Sequence, residues 1–85
     1  MVYVDGEQNH FGRMKMCHMV ADTLDELHQM AHRLGLKREW FQVSRNGTPH
    51  YDVCQSKRAL AITFGAVEID RRKMVELMRQ HREAA

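Results

Sequence analysis

The sequence predicts an α/β domain, with a small single-layer sheet that is at least partly parallel and packed by about three helices. Three observations carry that expectation. Short runs of strand formers alternate with segments whose apolar residues recur at helical spacing. A capping pattern at Thr23 and glycines at 35 and 65 mark helix ends. The chain has 85 residues and a 44% apolar share, enough for one domain. A chain of this size buries roughly 60–65% of the surface its unfolded form exposes.

Val2-Tyr3-Val4, stopped by Asp5-Gly6, reads as the first strand. Residues 6–13 are polar and read as a loop. From Met14 to Val20 the side chains alternate, with Met14, Met16, His18 and Val20 on one side, which predicts a second strand. Thr23 then caps a helix, Glu26 completes the capping box, and Gly35 closes it. Its stripe is Leu24, Leu27, His28, Ala31 and Leu34, so a histidine stands where an apolar residue is expected. Trp40 to Val43 reads as extended, and Asn46-Gly47 is a strong turn signal. Residues 48–53 can pair back, with Pro49 relegating them to a sheet edge. Ser56 is expected to cap a helix through Phe64, well buried because Ala59-Leu60-Ala61-Ile62 is apolar all round. Ala66 to Ile69 is a strand, and Asp70 caps a last helix with an inner stripe of Met74, Val75, Leu77 and Met78.

Composition narrows the function classes. A formal charge of +2 is too small to imply nucleic acid. The basic residues Arg71-Arg72-Lys73 and Arg79 are interrupted by Asp70 and Glu76 and read as a solvated helix face, so nucleic acid is not an expected partner. No segment is long and apolar enough to span a bilayer, and Met1 to Asp5 lacks the basic start of an export signal. The expectation is therefore a cytoplasmic protein with reduced thiols at Cys17 and Cys54. A thin core makes a homo-oligomer a reasonable partner expectation, with Trp40-Phe41 serving as core or as subunit contact. Walker, dinucleotide and His-Glu-x-x-His motifs are absent from the sequence. Neither thiol carries a sequence signal of helix-dipole activation.

His50-Tyr51-Asp52 is the densest run of chemistry-bearing groups. In an extended segment His50 and Asp52 share a face and Tyr51 points inward, so Asp52 can orient His50, or both can ligate one metal. The alternative is an exposed histidine in a turn. His18 near a strand end, Asp22 before the capped helix and His28 on that helix form a second group, beside backbone N–H groups suited to an anion. His28 is equally readable as a core histidine bonded to a carbonyl. A zinc set of Cys17, His18, His50 and Cys54 has no familiar spacing, and a hard-metal site of His18, His28, His50 and Asp52 is the other metal reading. Which metal or cofactor is bound, if any, stays open at this point. Lys57-Arg58 stands at a helix N-terminus, where cations oppose the dipole, which suggests solvation or an anion to be gripped together with Arg13 and Arg38.

The chain resembles the bacterial and phage domain of unknown function family numbered 4031. The resemblance is carried by Asp5, Gly12-Arg13, His18, Asp22-Thr23, Glu26-Leu27-His28, Arg38, Phe41, His50-Tyr51-Asp52 and Gly65-Ala66-Val67, and spans roughly residues 2–75. It implies a small bacterial or phage protein of uncharacterised activity.

The leading functional expectation is a phosphate-bearing, nucleotide-like ligand held at the carboxyl ends of the strands. Arg13, Arg38 and Lys57 would grip the anion, with Asp5, Asp22, His28 and Tyr51 lining the pocket. If the site is hydrolytic, His50 is the general base, Asp52 its orienting group and His18 the third catalytic residue. A non-enzymatic interaction or phage accessory module is the alternative, and a small DNA-associated regulator is a third.

Overall fold

The computed structural model of the protein describes residues 1–6, 9–11 and 14–84. The elements in chain order are β1 (Val2–Asp5), β2 (Asn9–Phe11), β3 (Met14–Ala21), α1 (Leu24–Arg33), a 3₁₀ turn (Arg38–Trp40), β4 (Gln42–Val43), β5 (Pro49–Cys54), α2 (Gln55–Thr63), β6 (Val67–Ile69) and α3 (Arg71–Ala84). The sheet runs β4-β5-β3-β1-β6, with β2 paired to β3. Among the described residues only β1 and β6 pair in parallel; β1 with β3, β2 with β3, β3 with β5, and β4 with β5 are antiparallel. The expected α/β class with a partly parallel sheet and three helices is what the chain forms.

Residue parity assigns the two faces. Val2, Val4, Cys17, Met19, Ala21, Tyr51 and Val53 form one core with Leu27, Met30, Ala31 and Leu34 of α1 and Ala61 of α2. On the other face Val20 packs with Met74 and Leu77 of α3, flanked by Tyr3, Ile69 and Met78. Pairings Val2↔Ala21 and Tyr3↔Val20 keep these sets apart, because a side chain reverses direction at each residue.

Helices α1 and α2 end alike. In each, the second residue past the cap bonds back to the last full turn: Leu36 N–H to the Ala31 carbonyl at 2.9 Å, and Ala66 N–H to the Ala61 carbonyl at 2.9 Å. Gly35 and Gly65, at φ 77° and 108°, permit the reversal. At the start of α1, Thr23 accepts the Glu26 N–H as expected.

Several expectations need correction. The stretch from 6 to 13 contains β2, whose Asn9 and Phe11 pair with Met16 and Met14. Residues 49–54 are not an edge, since β5 lies between β4 and β3. Pro49 is tolerated because it is the first residue of the strand. Ser56 does not cap α2; the N-cap is Cys54, without a side-chain cap bond. Nor is α2 well buried. Only Ala61 is, and Leu60 is 36% exposed. The helix lays a narrow strip on the sheet, so an all-round apolar sequence does not mean all-round burial. In α1, Leu24 is exposed and Met30 takes its place in the core, while in α3 Val75 falls outside the Met74–Leu77–Met78 stripe. Asp70 does cap α3, accepting the Lys73 N–H at 2.8 Å. No helix among the described residues is long and apolar enough to cross a membrane.

Candidate functional site

On the α3 side of the sheet, β1, β3 and β5 bring Asp5, His18, His50 and Asp52 together. Register places His18 directly opposite Asp52. His50 precedes Asp52 by two residues, so its ring stands on the same face. The two imidazole centroids are 5.6 Å apart in an edge-on arrangement.

Asp5 ends β1 and is buried, at 1% exposure. Its carboxylate accepts both the backbone N–H of His18 (2.9 Å) and the His18 ring Nδ1–H (2.9 Å). A carboxylate only accepts, so the ring carries its proton on Nδ1 and presents Nε2 towards Asp52, 4.0 Å from Oδ1. His50 is held from behind in the same manner, its Nδ1–H donating to the Thr48 carbonyl at 3.1 Å. His50 Nε2 lies 3.6 Å from the same Asp52 oxygen. Two ring nitrogens and a carboxylate oxygen thus face each other at distances too long for direct hydrogen bonds. With neutral rings all three are acceptors. The His18 side chain is 24% exposed and that of Asp52 36%, so the cluster opens to solvent on the Asp52 side.

Asp52 lies by His50 Nε2 rather than behind the ring at Nδ1, and the carboxylate that does stand behind an imidazole is Asp5, at His18. Thr48, fully buried, was not singled out by the sequence. A carbonyl acceptor leaves no trace in residue type.

The other expected residues lie elsewhere. Tyr51 projects to the opposite face, where its hydroxyl meets His28 Nδ1 at 2.8 Å. Arg38 Nη1 lies 2.7 Å from His28 Nε2, and its guanidinium sits 5.2 Å over the Phe41 ring. His28 also meets Phe41 edge-on at 4.8 Å. Histidine 28 is therefore separated by the sheet from His18 and His50, and the single pocket expected from the sequence divides into two clusters. Asp22 pairs with the Met1 ammonium (3.1 Å) and the Tyr3 hydroxyl (3.3 Å) at the far end of β3. Lys57 donates to the Leu34 carbonyl at 2.7 Å, closing the C-terminus of α1. Arg58 donates to the Asp5 carbonyl at 2.7 Å and to Glu68 at 2.9 Å. Both cations at the start of α2 are thus matched to carbonyls, which accounts for their place against the dipole. Arg13 lies outside the described residues.

Burial, then the Arg38 charge, lowers the His28 pKa, with Asp25 opposing. A histidine depressed in the folded state resists a proton that the unfolded chain accepts. Its contribution is complete above about pH 6.5 and is lost as pH falls from there through the folded value. Urea denaturation at pH 7.5 and pH 5 should show a smaller acid loss of stability in His28→Gln than in the native chain. The difference is modest because the ring is only partly buried.

The thiols differ too. Cys54 is half-buried, and the Ser56 hydroxyl 3.3 Å away, aided by N–H groups of Lys57 and Ser56, lowers its pKa against the effect of burial. Helix-terminal activation of a cysteine, which the sequence did not signal, is present here. Cys17 is buried, which raises its pKa, although the Gln55 amide donates to its sulfur at 3.2 Å. Iodoacetamide at pH 7.5 should alkylate Cys54 at least ~10-fold faster than Cys17, read by peptide mass spectrometry. Cys17 faces the α1–α2 core, away from His18 and His50. Among the described residues, no group of three or more His, Cys, Asp or Glu side chains is placed to hold a metal ion.

No curated protein and no solved structure matches the chain. A sequence model described as "Protein of unknown function (DUF4031)" matches residues 2–81. That span takes in Asp5, His18, His50 and Asp52 together with every strand, and the chain belongs to this family.

Proposed function

We propose that the protein binds a phosphate-bearing small molecule, nucleotide-like in class, at the His18–His50–Asp52 cluster and hydrolyses it. The observation that supports this most is the buried Asp5 carboxylate bonded to His18 Nδ1. That arrangement fixes the ring's tautomer, aims Nε2 outward and stabilises the imidazolium formed when His18 takes a proton. His18 is then the general base for the water that attacks the phosphate. His50, tied to the Thr48 carbonyl, supplies a second imidazole able to carry positive charge beside a phosphate.

The test is a panel of nucleoside phosphates and simple phosphate esters, followed by melting shift and phosphate release. His18→Ala and His50→Ala are expected to lose both responses. If both variants keep every ligand-induced melting shift, this reading is wrong. A second reading, a non-enzymatic interaction module, draws on Val43 of the edge strand β4 and Trp40 just before it, 58% and 49% exposed. Native mass spectrometry separates the two: a co-purified nucleotide supports the first, a stable complex with another protein the second.

A further inference from the structure

We infer that Arg58 is a positioning residue of this site, acting through the backbone of Asp5 to hold the Asp5–His18 pair in register; this rests on the hydrolytic reading above. Asp5 is the last residue of β1, where the β1–β3 pairing has run out at Val4↔Met19. Beyond that point the strands are joined by a side chain: the Asp5 carboxylate takes the place of a ladder acceptor for the His18 N–H. The aim of that carboxylate therefore depends on what fixes the Asp5 main chain. Arg58 reaches over from α2 and donates Nε–H to the Asp5 carbonyl at 2.7 Å, while its Nη2 holds Glu68 of β6 at 2.9 Å. One guanidinium thus ties α2 to the carboxyl ends of β1 and β6, the two parallel strands.

Geometry favours arginine here. The Arg58 side chain is 18% exposed, so the charge is largely withdrawn from water and must be matched by fixed partners. A planar fork meets a carbonyl and a carboxylate at once, which an ammonium cannot do with the same directionality. The buried Asp5 carboxylate is itself met by the backbone N–H and ring Nδ1–H of His18, which offset the cost of its burial.

The test uses the ¹⁵N-labelled full chain and long-range ¹H–¹⁵N correlation of the histidine rings, which reports tautomer without any ligand. In the native chain His18 shows the single Nδ1–H form. In Arg58→Met the His18 ring is expected to become a mixture of tautomers, while His50, held by Thr48, stays as it was. Arg58→Lys, which retains one donor for the Asp5 carbonyl, is expected to recover the single form in part. A folded Arg58→Met with the native His18 tautomer overturns the proposal. Should Arg58→Met not fold, Arg58→Gln, whose amide falls short of the carbonyl, is read by the same two outcomes. The tautomer is independent of catalysis, so absence of hydrolysis by the native chain strikes only the functional reading, and an unchanged ring strikes only the role of Arg58.

Discussion

Asp5→Asn is expected to lower hydrolysis by about 100- to 10,000-fold while costing only about 1–3 kcal/mol of stability. The asymmetry follows from what each atom of the carboxylate does. Asparagine can still accept the His18 backbone N–H through its amide oxygen, so the end of β1 stays joined to β3. Its NH₂ group then faces His18 Nδ1 where an acceptor stood. The ring must present a lone pair there and move its proton to Nε2, the atom assigned to take a proton from water. The base is then blocked by its own hydrogen. Steady-state rates for the native chain, Asp5→Asn, His18→Gln and the double variant check this. Groups acting as a unit give a double variant no worse than the more severe single one. A rate for Asp5→Asn within a few-fold of native would remove the pair from the mechanism.

The parts of this site that could be read in the sequence are those set by the twofold repeat of a strand. His50 and Asp52 share a face and Tyr51 turns away because they are neighbours in one extended segment, and that holds whatever lies beside it. Pairing is a different matter. Nothing in the residues from Met14 to Val20 states that His18 will lie opposite Asp52, or that β1 will sit on the other flank with its last residue beside His18. These are decided by strand order and register, which depend on how turns and core volumes fit together. The same gap explains His28. Its inward position on α1 was legible, but the face of the sheet onto which α1 folds was not, and it packs on the side of Tyr51. Lys57 and Arg58 show how far a broken local rule can lead. Cations in the first turn of α2 pointed to solvation or a bound anion, and their partners proved instead to be the carbonyls of Leu34 and Asp5. A backbone acceptor has no signature of its own, so the sequence could show that something was needed without showing what.

Tyr51→Ala is expected to cost about 3–5 kcal/mol, the largest loss from any single side chain near the site. The ring is 1% exposed, the bulkiest fully buried side chain among the described residues, and meets His28 and Phe41 at centroid distances of 5.8 and 5.7 Å. Chains of this length are held by roughly 4–13 kcal/mol in total, so Tyr51→Ala should be largely unfolded at moderate urea. Tyr51→Phe separates packing from polarity. It keeps the ring and removes only the hydroxyl bonded to His28, which retains Arg38, so a loss of about 1 kcal/mol is expected. The decisive comparison is chemical. The hydroxyl lies across the sheet from His18, His50 and Asp52, and Tyr51→Phe should therefore leave ligand response and hydrolysis within about twofold of native, a distant and independent change. Urea denaturation and phosphate release on the same two variants read both quantities. Loss of hydrolysis in a stable Tyr51→Phe protein would mean that the two faces of the sheet work as one site, and that the division drawn between the clusters is chemically wrong.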